Sequence, residues 1–260
     1  MVNEEATESV NNPLFYYTRI DRFLFENLIN RTFYFSSPKN FNDPFDCKAP
    51  MIFGVGTTEK RMGEYYDFIA GRWKHLVFNL ERNEFLKNWK VNPAIFEERL
   101  CSEVQKRADE EFGILCLTTV PDSIKMWSHY ADKHRGICVE LDANEHLFSN
   151  AYYWKVNYPE HNHYQNFIEH DVDFTSSLMG QVLTKAKIWE DEQEFRVVLN
   201  NAGLHEFNTR YVKKIIFGVN TPFEESETIQ ALVEKLHYPN LEFYKAEKSK
   251  SEFKLNIVPY

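Results

Sequence analysis

Segments with strand character are unevenly spaced along this chain, and that spacing constrains the fold more than any other feature. The early segments are separated by helical stretches, whereas the last two, "LEFYKA" and "FKLNIV", follow one another directly. A doubly wound sheet alternates strands and helices throughout, so the pattern instead predicts an α+β fold with a mixed, mainly antiparallel sheet. The sequence contains neither G-x-G-x-x-G nor G-x-x-x-x-G-K-[ST], so it carries no dinucleotide fingerprint and no P-loop.

A helical insertion is predicted at about 59–110. Its clearest helix start is Asn92 followed by Pro93, because asparagine is a good N-cap and proline suits the first helical position. A further helix is predicted over about 163–183. These helices interrupt the series of strands and so strengthen the prediction of an α+β fold.

Two more helices are predicted from their capping residues. Asp21 is placed to cap a short helix early in the chain. The stretch from Thr221 to Glu224 has the spacing of a capping box, and it precedes apolar residues at helical spacing that include Ile229 and Val233. Both helices are therefore expected to pack an apolar face on the core.

The chain shows no internal repeat, low-complexity tract or Gly/Ser-rich linker. This favours one α+β domain over residues 13–260, preceded by a disordered tail at residues 1–12. A contiguous domain of that length can bury a sizeable core, to which the many aromatic residues would contribute much of the area.

Composition is that of a water-soluble protein without a membrane span. Hydrophobic residues make up 43% of the 260 residues, and no apolar run approaches the roughly 20 residues that a membrane helix needs. The acidic start "MVNEEATESV" does not resemble a secretory signal, so we expect a cytoplasmic location. A net charge of -9 argues against a nucleic-acid surface. The four cysteines lack C-x-x-C spacing and are expected to be reduced and metal-free.

The loop "FNDPFD" places two phenylalanines on either side of a polar turn. Asn42 or Asp43 can bond the backbone in an Asx-turn, and Pro44 restricts the residue before it. We expect Phe41 and Phe45 to be buried and to hold the turn on the core. The turn is either purely structural or a rigid loop whose Asn42 and Asp43 side chains face a pocket.

The segment "MWSHYADKHRG" concentrates aromatic and polar residues at the end of a predicted helix. Trp127, His129, Tyr130 and Arg135 could stack on a planar ring and hold a phosphate. An aromatic stripe at helical spacing is also typical of a core, so a structural role is the alternative.

The segment "WEDEQEFRVV" offers two carboxylates and a guanidinium. If a strand runs from Gln193 onward, Glu192, Glu194 and Arg196 share one face of it. They are then expected to line one side of a pocket, with Trp127 or Tyr130 opposite. A solvated charged surface is the alternative.

Several of these segments together resemble a known family. In order and spacing, the chain is similar to the bacterial domain-of-unknown-function 2971 family from about Leu14 to Val219. The segments that carry the resemblance are "FYYTRI", "FYFSSPKNFNDPFD", "GILCLTTVPDSIKMWSHYADKHRGICVELD", "KAKIWEDEQEFRVV" and "KKIIFGV". This resemblance by itself implies no activity.

A second resemblance, to ADP-ribosyltransferase-like folds, implies a chemistry. In that arrangement Tyr17 or Arg19 comes from an early strand, Ser36 and Tyr34 from a second strand, and Glu194 or Glu192 from a late strand. It implies NAD as the substrate, no metal, and a macromolecule as a further partner that accepts the ADP-ribosyl group. The strand carboxylate would stabilise a ribosyl cation, and Glu194 is the first choice for it.

The same resemblance implies roles for residues elsewhere in the chain. Trp127 or Tyr130 would stack on nicotinamide, and Arg19 or Arg135 would hold the pyrophosphate. Two other functions stay open at this point. One is a Mg²⁺-dependent nuclease with carboxylate ligands such as Asp43. The other is a non-catalytic ligand-binding or sensor module.

Overall fold

The computed structural model describes residues 13–48, 51–52, 57–71, 74–144, 146–160, 165–166 and 179–260. The tail predicted at residues 1–12 and most of the helix predicted at about 163–183 lie outside these residues. Within that predicted helix, Gln165–Asn166 is a strand, whereas residues 179–182 are helical. No helix in the described part of the chain is long and apolar enough to cross a membrane.

The regular structure of the described residues includes twelve strands and six α-helices, besides short 3-10 helices. The strands are β1 Leu14–Thr18, β2 Thr32–Phe35, β3 Met51–Ile52, β4 Gly113–Thr118, β5 Ile137–Leu141, β6 Tyr152–Lys155, β7 Gln165–Asn166, β8 Glu194–Leu199, β9 Gly203–Glu206, β10 Val212–Phe217, β11 Glu242–Lys248 and β12 Leu255–Pro259. The helices are α1 Arg22–Asn30, α2 Glu59–Ala70, α3 Arg82–Val91, α4 Pro93–Glu111, α5 Ile124–Tyr130 and α6 Phe223–Lys235.

Eight of the strands form one sheet in the order β12-β11-β10-β5-β1-β4-β8-β6. Every neighbouring pair in it is antiparallel except β10 and β11, which are parallel. Helices and a mixed, mainly antiparallel sheet confirm the predicted α+β class. The helical insertion is confirmed as well, because α2, α3 and α4 lie between β3 and β4.

The chain groups into two compact units. Unit 1 contains residues Ser37–Phe112 and Asn157–Lys187, and unit 2 contains the remaining described residues, including the eight-stranded sheet. Within unit 2, Ser36 and Ile114 exchange backbone hydrogen bonds of 2.8 and 2.9 Å, and the Val156 N–H donates to the Glu194 carbonyl at 2.9 Å. The prediction of one domain over residues 13–260 stays a prediction.

The sheet of unit 2 is covered on both faces. Because side chains alternate along a strand, Leu14 and Phe15 point to opposite sides of β1. Leu14 belongs to the larger core, together with Leu24 and Leu28 of α1 and Ile229 of α6. Phe15 belongs to a second core that α5 covers, with members Phe15, Tyr17, Trp127, Ala131, Cys138, Ile216, Ala246 and Leu255. Burial on both faces fixes the register of the strands, because a slip by one residue would exchange the two sets of side chains.

Unit 1 has its own apolar core, built by the three helices of the insertion. Its members include Met62, Tyr66, Phe85, Trp89 and Phe96. The predicted start of α4 is confirmed, because the Asn92 side chain accepts a hydrogen bond from the Ile95 N–H at 3.3 Å and Pro93 is the first helical residue.

The capping predictions for the other two helices had different outcomes. Asp21 caps α1 as predicted, accepting from the Leu24 N–H at 3.0 Å. The capping box before α6 is wrong, since Pro222 is the N-cap residue and no side chain caps it. The Thr221 hydroxyl instead contacts the Gly136 carbonyl at 2.9 Å, so a long-range partner replaced the local one.

The prediction that Phe41 and Phe45 are both buried is wrong. Phe45 is 57% exposed and Phe41 is only half-buried. The Asx-turn itself is confirmed, because the Asp43 side chain accepts from the Phe45 N–H at 2.8 Å. Asp46 and Cys47 are the buried residues of this turn, and Asp46 lies 3.9 Å from the buried amine of Lys185. An ion pair at the end of the turn, rather than two aromatic rings, therefore anchors it.

Phe45→Ala is consequently expected to lower the free energy of unfolding by less than about 1 kcal/mol, because the ring is largely solvated in the folded state. Phe85→Ala, which removes a fully buried ring of the same unit, is the matched control and should cost several times more. Urea unfolding of both variants measures the difference. Equal losses in the two variants would mean that Phe45 packs against the protein in solution.

Candidate functional site

The carboxylates of "WEDEQEF" lie where a short helix meets the sheet. Lys187–Glu192 is a 3-10 helix, Gln193 has a left-handed backbone with φ 44°, and β8 begins at Glu194. The prediction that Glu192 shares a strand face with Glu194 and Arg196 is therefore wrong, since Glu192 precedes the strand. Left-handed backbone at a residue other than glycine is strained, and such strain is concentrated at functional sites.

Glu194 and Arg196 form a buried ion pair on one face of β8. Glu194 is 3% exposed and Arg196 is 0% exposed, and the Arg196 Nε donates to Glu194 Oε1 at 2.7 Å. Across the sheet, Thr118 of β4 is opposite Glu194, while Cys116 is opposite Arg196. Taking two charges out of water costs several kcal/mol each, which only good hydrogen-bond geometry offsets.

The Glu192 carboxylate, which precedes β8, is also buried, at 6% exposure. Its Oε1 accepts a hydrogen bond of 2.8 Å from the Tyr130 hydroxyl, and its backbone carbonyl accepts one of 2.6 Å from the Thr118 hydroxyl. Tyr130 is 38% exposed. The Glu192 carboxylate is thus held in place by a side chain that reaches solvent. The pocket predicted between the carboxylates and Trp127 or Tyr130 stays a prediction.

Helix α5 positions Tyr130. Ser123 caps its start, with the hydroxyl accepting from the Met126 N–H at 3.3 Å. Trp127 is fully buried on the inner face of the helix and its indole N–H donates to the Pro121 carbonyl at 2.9 Å. Because Trp127 anchors α5 on the sheet, Tyr130 at the last helical position has a fixed location next to Glu192.

Tyr17, the predicted catalytic tyrosine, lies in the core under α5. Its ring meets the Trp127 ring edge-on at 5.1 Å, and its hydroxyl donates to the Val120 carbonyl at 2.7 Å. Burial raises the pKa of the Tyr17 hydroxyl well above its ordinary value, and the nearby Cys138 thiol adds to this effect. The hydroxyl therefore stays protonated and serves the packing of β1 on α5. This contact does not bear out a catalytic role.

The remaining predicted ligand-binding residues of unit 2 are on the surface or bonded through their backbone. Arg19 is exposed and lies 3.5 Å from Asp21, His129 is exposed, and Arg135 is exposed and lies 4.0 Å from Asp132. Ser36 is half-buried and pairs with β4 through its backbone. Their roles in binding stay predictions.

Asn42 and Asp43 belong to unit 1, and their polar groups were expected to face a pocket. Asn42 is exposed, whereas Asp43 is half-buried and bonds the backbone of its own turn. Among the residues that the structure describes, no group of three or more His, Cys, Asp or Glu side chains is arranged to hold a metal ion. All four cysteines are described, and none forms a disulfide.

Two contacts around Glu192 were not predicted from the sequence. The Thr118 hydroxyl holds the Glu192 carbonyl, and the side chain of Asp191 pairs with Lys125 at the outer end of α5. Thr118 could have been found from its position at the end of a buried strand, where polar side chains often reach a site. The contact between Lys125 and Asp191 joins segments 66 residues apart and had no local signal.

Residues 126–197 match the model of a family described as "Protein of unknown function (DUF2971)". Over this region the chain is similar to the DUF2971 family. The DUF2971 region begins in α5 and ends in β8, so it contains Tyr130, Glu192, Glu194 and Arg196. The match is shorter than the resemblance in sequence, which runs from about Leu14 to Val219. Neither a curated protein nor a solved structure matches the chain.

Proposed function

We propose that the chain is a nucleotide-processing enzyme whose reactive carboxylate is Glu192, with NAD as its substrate. The observation that carries the proposal is the nearly buried Glu192 carboxylate, held at 2.8 Å by the partly exposed Tyr130 hydroxyl. Buried charges and strained backbone both cost stability, and here they occur within three consecutive residues, Glu192 to Glu194. Such costs are typical of functional sites.

The chemistry needs a carboxylate that is fixed before the reaction starts. Breaking the bond between ribose and nicotinamide leaves a cationic ribosyl group, while the bonding electrons depart with neutral nicotinamide. A carboxylate in a site of low dielectric stabilises that cation far more than water would. The hydroxyl of water or of an acceptor macromolecule then attacks the anomeric carbon and loses its proton.

Glu192 replaces Glu194 as the first choice for this carboxylate. Glu194 is bonded to the Arg196 guanidinium at 2.7 Å, and that positive charge offsets the attraction Glu194 could exert on a cation. Glu194 and Arg196 then act as a buried support for the start of β8. The Tyr130 hydroxyl donates a hydrogen bond to the Glu192 carboxylate and orients it at the end of α5, where the tyrosine side chain reaches solvent.

Solvent exposure decides which aromatic residue is proposed to stack on nicotinamide and which cation is proposed to hold the pyrophosphate. Trp127 is fully buried and cannot stack on a ligand, whereas Tyr130 is partly exposed and can stack on nicotinamide. Arg135, which is exposed in the loop after α5, is the residue proposed to hold the pyrophosphate. Thiols without disulfides fit a cytoplasmic location, where NAD is available.

Replacing Glu192 with glutamine tests the proposal, because it keeps the shape of the side chain and removes its charge. Nicotinamide release is expected to fall by about 10²–10³ in kcat, with little change in KM, since the lost interaction forms mainly in the transition state. The matched control is Asp191→Asn, which removes the charge of the adjacent carboxylate on the exposed side of the same short helix. It should keep at least half of the activity.

A parallel assay measures Mg²⁺-dependent cleavage of RNA and DNA. Cleavage of nucleic acid by a protein that neither binds nor hydrolyses NAD would replace this proposal by the nuclease alternative. If Glu192→Gln releases nicotinamide as fast as Asp191→Asn does, the Glu192 charge has no role in the reaction. If wild-type protein neither hydrolyses NAD nor cleaves nucleic acid, the enzyme proposal fails and the binding-module alternative takes its place.

A further inference from the structure

A groove of about 640 Å³ lies between the loop that follows α5 and the hairpin of β11 and β12. Its apolar wall includes Ile124, Val219 and Leu255, and the hairpin residues 248–255 form its other side. This volume is in the range of small-molecule sites, which are mostly apolar with a few polar groups that fix orientation. The groove belongs entirely to unit 2 and lies apart from the Glu192 cluster in its lining residues.

One wall of the groove is His134, and its backbone is tightly constrained. Asp132, Lys133 and His134 all have left-handed backbone, with φ of 44°, 55° and 68°. The His134 carbonyl accepts from the Asn220 N–H at 2.9 Å, and its own N–H donates to the Trp127 carbonyl at 3.1 Å. Three left-handed residues in succession cost stability, since each non-glycine residue is disfavoured there.

The backbone of this loop also needs a glycine beside it. A Cβ atom at Gly218 would come within 2.2 Å of the His134 carbonyl oxygen. The strand end at Gly218 therefore approaches the loop as closely as backbone can. Together with the two hydrogen bonds, this contact holds His134 at one position on the wall of the groove.

The imidazole of His134 has a defined tautomer. Its ring stacks on Trp127, with centroids 6.3 Å apart and planes at 12°, and its Nε2 lies 3.0 Å from the Ser128 hydroxyl oxygen. The single hydroxyl proton of Ser128 is donated to the Ile124 carbonyl at 2.7 Å, so Nε2 must carry the proton of the other bond. The buried Nδ1 then has no hydrogen-bond partner among the described residues.

The hairpin side of the groove is positively charged. Lys248, Lys250 and Lys254 line it with one acidic residue, Glu252, which pairs with Lys254. The pKa of His134 is lowered, first by burial and then by the positive charge of Lys248. Because the charge of Lys248 reaches His134 on the opposite wall, the groove is suited to a negatively charged group.

We propose that this groove binds a small anionic molecule with an apolar body, namely a phosphate ester or carboxylate attached to a flat ring. The body packs on Ile124, Val219 and Leu255, and the anion lies next to Lys248. This site is separate from the proposed NAD chemistry and does not depend on it.

1-Naphthyl phosphate is the probe that tests the site, and calorimetry with ¹H–¹³C spectra of the histidine rings provides the readout. We expect saturable binding at one site that shifts the His134 signals, assigned with His134→Gln. Inorganic phosphate and 1-naphthol, which each carry half of the probe, should bind at least about tenfold more weakly. 1-Naphthoate, a carboxylate with the same ring, tells whether the site takes both kinds of anion or phosphate esters alone.

Lys248→Ala is expected to weaken binding of the probe about tenfold, because it removes a charged contact with the anion. Lys213→Ala is the matched control, since it changes the net charge equally on a strand that does not line the groove, and its affinity should be within twofold of wild type. Ile124→Glu should abolish binding by placing a carboxylate in the groove. Unchanged affinity in both Lys248→Ala and Ile124→Glu, or no binding to the wild-type protein, would overturn the proposal.

Discussion

Arg196→Met is expected to lower the free energy of unfolding by about 3–5 kcal/mol, because it leaves the buried Glu194 carboxylate without the guanidinium that neutralises it. Both side chains are almost inaccessible to water, so solvent cannot compensate for the lost charge. The methionine side chain fills part of the arginine volume, which limits the contribution of an empty cavity. Urea unfolding followed by circular dichroism measures the loss.

The double variant Glu194→Leu/Arg196→Met separates the charge from the packing. Replacing a buried ion pair by apolar side chains is often neutral in stability, so the double variant should recover most of the loss. A single variant that costs less than about 1 kcal/mol would show that water reaches the pair. A double variant as unstable as the single one would show that shape, rather than charge, is what Arg196 contributes.

Trp127→Ala is expected to cost about 3–5 kcal/mol, as large-to-small substitutions of fully buried aromatic residues do. The variant loses the edge contact with Tyr17, the stack under His134 and the bond to the Pro121 carbonyl. A helix of seven residues is too short to persist without such packing, so α5 should lose order as well. Thermal unfolding measures the stability.

Trp127→Phe is the control, because it keeps a buried ring and loses the indole N–H. Its cost should be a fraction of that of the alanine variant, at about the 1–3 kcal/mol that an unsatisfied carbonyl carries. Histidine ring spectra add a second readout, since the His134 signals should move in Trp127→Ala far more than the exposed His129 signals. Equal costs for the two variants would mean that the hydrogen bond, rather than the ring, anchors α5.

Local patterns predicted most of the regular structure. The strand "GILCLTT" and the caps at Asp21 and Asn92 depend on nearest neighbours in sequence, which is why they could be read directly. The capping box at Thr221 has equally good local spacing and still failed. Its hydroxyl contacts a carbonyl 85 residues away, and no local pattern carries that information.

The candidate site was predictable in its residue types but only partly in its geometry. The carboxylates, Arg196 and Tyr130 were all selected from two short segments, and the structure joins Tyr130 to Glu192. The alternation argument failed at Gln193, since one left-handed residue shifts Glu192 off the strand. The groove beside His134 could not be predicted, because its lining residues come from four separate stretches of the chain.

The chain passes between its two compact units at positions where its backbone is paired in the sheet of unit 2. The chain leaves unit 2 after Ser36 and returns at Gly113, next to Ile114, the residue that pairs with Ser36. It leaves again after Val156, whose backbone is bonded to Glu194. Both segments of unit 1 therefore begin directly after a residue whose backbone is hydrogen-bonded within unit 2. The first segment also ends beside Ile114, the residue to which Ser36 is bonded.

Residues 37–112 therefore have the arrangement of an insertion between two paired residues of the sheet domain. Because the ends at Ser36 and Ile114 are only about 5 Å apart in a paired ladder, a short turn could replace residues 37–112 without altering the sheet register. Related chains with much shorter or longer versions of this stretch are therefore physically possible around an unchanged sheet. The DUF2971 region, by contrast, cannot be excised as residues 126–197, since β1, β4 and β10, which hold its strands in the sheet, lie outside it.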